Sequence, residues 1–470
     1  MEMPSTLEAA HLVRRGYVSA AELLGICLEA IEDRNGELNA FVHLDVEAAR
    51  AQAEAVDREL AAARADALGP LAGVPFGVKD LEDCAGMPTT RGSRWFAGRP
   101  PVERDAIHVA RLRAAGAIPI GKTAAPEFGT WAYTASPALG VTRNPWDPAR
   151  TPGGSSGGSS AAVSAGMVPF CTASDGGGSI RTPAGFTGLI GLKCCSGRIP
   201  TFDVTYLAQN AVVGSLTTTV ADTALLLDVM AGPDERDRTC LPPPGLGYLD
   251  VIGRPERVEG LRVAWSSDLG FAIVEPEVAE LARAAADDLV EAARLTLVDR
   301  RVELEDYIVT YARMEGVDQF VGIDPELWQD RLDELDPLVA PGWRSTSAVT
   351  LPKLARVEEA RRQLVRRVAA LFQDIDVLLT PMSSVPAFAA EGPMPTEVAG
   401  VSGHAGMAVP QPMLANLVNL PAISIPAGLT GAGLPIGLQV VARRFREDVC
   451  LTLAAIQEQA RPWPRHAPGP

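Results

Sequence analysis

Hydrophobic positions fall at helical spacing through the first sixty residues, and then the rhythm changes. Ser19 and Glu22 make a capping-box pattern ahead of AELLGICLEAIEDR, which predicts a helix there. Residues 45–64 (DVEAARAQAEAVDRELAAAR) continue with an alanine-rich amphipathic helix. From residue 70 the apolar runs are short and broken by glycine. PLAGVPFGVKD and AIPIG read as buried strands, with a helix over 105–115 between them. Helical patterns return at 221–232, 275–294 and 353–372, and strand-like runs at 376–381, 421–428 and 435–442. Helices alternating with short apolar strands predict an α/β fold, a central twisted mixed β-sheet covered by helices on both faces. Strand-like runs lie in both halves of the chain, so residues 1–470 read as one large domain. Residues 300–410 are expected to be its variable covering layer.

Composition narrows the partners. Apolar residues make up 47% and charged residues 21%, enough apolar content for a sizeable core. The formal net charge of −16 argues against nucleic acid or an anionic membrane surface as partner, because both call for a basic footprint. The first residues lack the basic-then-apolar pattern of a secretory signal, and no run of about 18 apolar residues occurs. The seven cysteines are scattered without metal-site spacing, which suggests free thiols in a reducing cytoplasm. The histidines form no ligand set either, and His108, on a charged helix, reads as solvated. Neither a metal nor another cofactor is expected.

Lysine usage is more telling. Of 42 basic residues only Lys79, Lys122, Lys193 and Lys353 are lysines, and the first three end apolar runs: LAGVPFGVK, AAGAIPIGK and FTGLIGLK. A desolvated lysine can give up its proton, whereas arginine stays charged. These three are therefore candidates for chemistry that needs an amine, and composition does not choose among them.

Residues 151–200 are dominated by glycine, serine and other small residues. Two short motifs here and nearby lack their context. Gly116 to Thr123 fits G-x-x-x-x-G-K-T, but its glycines flank an apolar strand and Pro126 interrupts the place where a phosphate-binding helix should open. Lys122 is instead expected to be structural. Gly153 to Gly157 fits G-x-S-x-G, but turn-forming RNPWDPARTP precedes it where a nucleophile elbow needs a strand, and the downstream histidines are only His404 and His466. Ser155 and Ser156 also suit a helix cap before AAVSAG.

A third pattern uses both serine clusters and a lysine: Lys79 in AGVPFGVKD, Ser155 in PGGSSGGSS, and Ser179 in SDGGGSIRTP. With GKTAAPEFG, GFTGLIGLK, NLPAISIPAG and PIGLQVVA, the chain closely resembles the amidase signature family, its signature core covering about 65–235. The resemblance implies a serine amidohydrolase working through a covalent acyl-serine. It makes Ser179 the nucleophile, Ser155 the bridging serine on a cis peptide and Lys79 the base, and so selects Lys79 among the three lysines. It places the oxyanion hole at Gly176, Gly177 and Gly178. Ser156 is assigned a supporting role, and Asp175 and Arg181 read as buried charges fixing the loop. Gly129, Thr130 and Trp131 match a position lining the acyl site. Trp131 could stack on an aryl substrate or be ordinary core.

The implied substrates are small amides or carbamates, and the reading is a broad-specificity enzyme for apolar or aryl amides, monomeric or homodimeric. Carbamate or ester hydrolysis on the same triad, a glutaminase subunit of an amidotransferase, and an inactive binding protein on the same fold are the alternatives. The glutaminase subgroup usually carries Met-Tyr-Leu-x-Asp where this chain has PMLANLVNLPAISIPAG, which argues against it. The overall look is nearer to stand-alone bacterial amidases of the nylon-oligomer hydrolase type. Ala124, Cys194-Cys195 and Gly176 depart from the usual pattern, and Gly176 is expected to enlarge the pocket.

Overall fold

In the computed structural model, which describes residues 2–62, 68–201, 210–320 and 331–469, the short apolar runs assemble into one mixed sheet. Its strands are β1 (Phe41–Leu44), β2 (Pro75–Lys79), β3 (Ile118–Thr123), β4 (Phe170–Asp175), β5 (Ile190–Lys193), β6 (Val212–Thr217), β7 (Arg262–Trp265), β8 (Thr296–Leu297), β9 (Val377–Pro381), β10 (Ala422–Leu429) and β11 (Pro435–Ala442). They lie in the order β1-β3-β2-β4-β6-β5-β10-β11-β9-β7-β8. Strands from early and late in the chain therefore share a single sheet, as the sequence suggests.

Alternation along the strands explains the layers. Val377 and Leu379 of β9 face one core and Leu378 faces the other. The first core includes Leu289 of helix Pro276–Ala292 and Leu453 of helix Glu447–Ala460. The second includes Leu364 and Leu371 of helix Leu351–Asp374 and Leu414 of helix Pro410–Leu417. Successive side chains of a strand point to opposite faces, so a strand apolar at every position needs helices on both. Each fully buried leucine contributes about 1.5–3 kcal/mol.

Expected helix bounds hold closely. The Ser19–Glu22 capping box starts helix Ala20–Leu38. The helix expected over 45–64 runs Val46–Ala61, and positions 63 and 64 lie outside the described residues. No helix among the described residues is long and apolar enough to cross a membrane.

Three neighbouring strands place the chemistry. β2 runs parallel to both β3 and β4, with Phe76 opposite Phe170 and their rings stacked at 4.9 Å. Gly77 makes the close fit possible, since a Cβ there would lie 2.8 Å from both Cys171 Sγ and Thr123 Cγ2. Because β2 and β4 are parallel, Lys79 and Asp175 emerge at the same edge of the sheet. Carboxyl ends of parallel strands are the usual place for a site in such sheets.

Candidate active site

Lys79 is the last residue of β2 and fully buried, and its backbone N–H donates to Thr172 Oγ1 of β4 at 3.0 Å. Nζ lies 2.7 Å from Ser156 Oγ, 2.8 Å from Ser155 Oγ, 2.9 Å from Ser174 Oγ and 3.3 Å from the Ser174 carbonyl. An ammonium has only three protons to share among these four oxygens, whereas a neutral amine offers two donors and one acceptor. In the neutral form a serine hydroxyl can therefore donate into Nζ. Burial pushes the Lys79 pKa down to about 8, against the pull of Glu82, Asp175 and Glu315.

The two serine clusters meet in front of this amine. Ser155 follows a cis peptide from Gly154 and is almost completely buried. Ser156 occupies the N-cap position of helix Gly157–Ser164, yet its hydroxyl makes no cap bond. It turns to Lys79 instead, so the capping reading of this pair does not hold. The Ser156 N–H reaches the Ser179 carbonyl at 3.3 Å, tying one cluster to the other. Ser179 itself is half-buried, whereas Ser155 and Lys79 are buried. Gly129, at φ +73, passes over Ser155, where a Cβ would stand 3.2 Å from Ser155 Oγ.

The loop between Asp175 and Arg181 is held by its own ends. Arg181 grips Asp175 with two hydrogen bonds of 2.9 Å, and both side chains are fully buried. Its Nη1 and Nη2 also donate to Gln439 Oε1 and Asn416 Oδ1, each at 2.6 Å. Burial alone would raise the Asp175 carboxyl, but the adjacent guanidinium holds it well below the usual range. Asp175 also accepts from the N–H of Gly178 at 2.7 Å and of Ile180 at 3.2 Å. The resemblance implies that Gly178 donates to an oxyanion, but here its N–H is spent on Asp175. Among the described residues the N–H groups of Gly176, Gly177 and Ser179 carry no internal bond, so they are the donors that remain.

Comparison with known proteins gives the family. The family profile described as Amidase matches residues 22–451. The chain belongs to the amidase family. As a member it is a hydrolase of carbon–nitrogen acyl bonds, and a Ser-Ser-Lys triad is characteristic of the family. It is 36% identical to a glutamyl-tRNA(Gln) amidotransferase component from Synechococcus sp. (strain RCC307), covering 95% of each chain. It is 34% identical to an acylamidase of Rhodococcus erythropolis, covering 98% of this chain and 96% of that one. The crystal structure of a bacterial aryl acylamidase of the amidase signature enzymes superposes with a TM-score of 0.90 at 26% identity, covering 98% and 97%.

The three buried lysines of this amidase now separate. Lys122 Nζ donates to the Glu82 carbonyl (2.7 Å) and Thr89 Oγ1 (2.9 Å) and lies 3.5 Å from Asp80, a structural role on β3. Lys193 Nζ donates to the carbonyls of Cys194 and Leu420, both at 3.0 Å. Only Lys79 faces the serine hydroxyls. His108 is a correction: it is buried, not solvated, with Nε2 3.0 Å from Glu82 Oε2. Burial would raise the Glu82 carboxyl, and His108 beside it holds it low. Cys171 is sealed in the core, where burial pushes its thiol well up, so it offers no thiolate.

A roof of helices closes the amidase site, and the sequence does not single out its residues. Helix Ile308–Phe320 lays Tyr311 and Glu315 over the Gly176–Gly178 loop. A Cβ on Gly177 would overlap the Tyr311 hydroxyl, and one on Gly176 would stand 3.2 Å from Glu315 Oε2. The space that Gly176 leaves is thus bordered by a carboxylate. Beside the roof, Thr130 Oγ1 donates to the Glu127 carbonyl, and Trp131 is half-buried and stacks on Tyr133 at 6.1 Å. An aromatic cluster of Trp95, Phe96, Phe128 and Trp343 packs against Trp131.

Proposed function

We propose that this amidase cleaves small apolar or aryl amides through an acyl-serine at Ser179. The observation that carries the reading is a fully buried Lys79 amine, with a pKa of about 8, 2.8 Å from Ser155 Oγ. Neutral Lys79 takes a proton from Ser155 as Ser155 takes one from Ser179. The Ser179 oxygen attacks the carbonyl, and the oxyanion accepts hydrogen bonds from the N–H groups of Gly176, Gly177 and Ser179. The proton returns through Ser155 to the leaving nitrogen as the carbon–nitrogen bond breaks. Water, deprotonated by the same relay, then frees the acid. Ser156 and Ser174 hold the amine in place, and the Asp175–Arg181 pair sets the loop.

Residues 65–235 carry the reacting groups, and the helices within residues 300–410 supply the variable cover that shapes the substrate, while β9 in that range belongs to the central sheet. The half-buried Trp131 and the aromatic cluster behind it support aryl or apolar acyl groups. Seven free thiols support a reducing, cytoplasmic setting for a monomer or homodimer. Carbamates and esters fit the same relay. The glutaminase reading draws on the Synechococcus relative, against which stands the sequence PMLANLVNLPAISIPAG. A fluorophosphonate should label the protein, and Ser179→Ala should abolish the label. Labelling that survives Ser179→Ala but not Ser155→Ala would overturn the assignment. A panel of acyl anilides, short fatty amides, carbamates and glutamine then sets the range, and activity on glutamine alone would sink broad specificity.

A further inference from the structure

A cavity of about 490 Å³, lined by none of the reacting groups, lies between helix Leu351–Asp374 and the end of helix Pro410–Leu417. Its size suits a small organic molecule. Glu358, Arg361, Arg362, Val365 and Arg366 line it from one face of helix Leu351–Asp374, since residues three or four apart are neighbours on a helix. The buried stripe of the same helix, which includes Leu364 and Leu371, feeds the second core instead. Arg444, just after β11, lines the cavity as well. Four guanidinium groups thus gather at one place in a chain of net charge −16, and Glu358 is the one carboxylate among the lining residues.

Two of the four are matched by acids. Arg361 Nε lies 3.1 Å from Glu358 Oε2, and Arg362 Nη1 lies 3.6 Å from Glu359 Oε2. The other two are not. Arg366 makes no hydrogen bond or ion pair among the described residues. Arg444 donates through Nε to the Asn419 carbonyl at 3.2 Å and through Nη2 to the Val418 carbonyl at 2.9 Å. Carbonyls carry no net charge, so they fix this guanidinium without neutralising it, and its Nη1 donors remain for a ligand. Val365, Leu417 and Val418 add an apolar wall. Two uncompensated guanidinium groups beside an apolar wall match an oxyanion head joined to an apolar body.

We propose that this cavity binds a small organic anion, its carboxylate or phosphate head held by Arg366 and Arg444 and its apolar body set against Val365, Leu417 and Val418. The site is separate from the Ser179 relay and does not depend on it. Isothermal titration calorimetry of the full chain with phenyl phosphate, phenylacetate and inorganic phosphate tests the assignment. At least one of the two aryl anions should bind, and the tighter of them names the head group. Inorganic phosphate should bind about tenfold more weakly than that anion, because it lacks the apolar body. Arg366→Gln and Arg444→Gln should each weaken the aryl anion by about tenfold with the thermal melt unchanged. Ser179→Ala should bind as the wild type does, and rising salt should weaken binding. No binding of either aryl anion would overturn the proposal. Binding that survives both arginine variants would do the same, as would inorganic phosphate held as tightly as the aryl anions. Binding lost in Ser179→Ala would place the anion at the relay and overturn it too.

Discussion

The floor and the roof of this site meet at Ser179 and are built in opposite ways. The floor consists of strand ends and glycine-serine loops, with Lys79 and Ser155 buried, Ser179 half-buried, and glycines packed so closely that a Cβ at Gly77 or Gly154 would come within 3 Å of a neighbour. The roof consists of helices that reach in with long polar and aromatic side chains, half-buried and drawn from more than a hundred residues away. The floor holds the chemistry, and any side chain larger than hydrogen would disturb it at several positions. We assign recognition to the roof, although the Glu315 charge there also acts on Lys79 below. One protein can thus keep a fixed reaction while its substrates vary.

The sharpest way to break this contrast is to remove the amine. Lys79→Met should lower kcat by about a thousandfold or more while leaving the fold intact, because the relay loses its only base. Kinetics alongside a thermal melt would check it, and substantial remaining activity would move the base elsewhere. Next in size is the loop clamp. Arg181→Met should destabilise the protein by about 3–5 kcal/mol, measured by urea unfolding, because Asp175 is left buried and unpaired. Adding Asp175→Asn should recover part of that loss.

The pH profile comes third. Lys79 must be neutral to act, and its pKa sits near 8, so kcat/KM should rise with pH and level off above about 8. Because protonation removes the base, activity is lost as pH falls through that value, to about a hundredfold below the plateau at pH 6. A flat profile between pH 6 and 9 would contradict the assignment. The smallest effect probes the seam itself. Gly177→Ala should cost about tenfold in kcat/KM by pressing on the Tyr311 hydroxyl, and a Tyr311→Ala background should restore much of it. Additive losses would show that floor and roof are not in contact there.

The same division governs what the sequence reveals. Strands β2, β3, β9, β10 and β11 and the bounds of the expected helices are legible because periodicity is local, whereas β1 and β4 to β8 are too short or too rich in small and polar residues to stand out; the serines and lysines stand out as small or rare residues in apolar surroundings. Tyr311 and Glu315 leave no such trace, since they look like ordinary positions on a charged helix until folding lays them over Gly176 and Gly177. Asn416 and Gln439 are invisible for the same reason: each accepts from Arg181, and Asn416 also donates to Asp175, all from more than 230 residues away in the chain. His108 misleads because its helix carries charges, while the carboxylate that accounts for its burial, Glu82, belongs to another segment. Gly178 shows that a run of three glycines says where a loop bends and not which N–H remains unspent.

The scarcity of lysine has a practical side. Lys79, Lys122 and Lys193 are buried, while Lys353 is exposed near the start of helix Leu351–Asp374. Among side chains, an amine-directed dye or surface-coupling reagent therefore finds one address. That address lies on the covering layer and away from the relay. With the chain's α-amine blocked, a single attached fluorophore would report on the roof, and an immobilised enzyme would be tethered in one orientation.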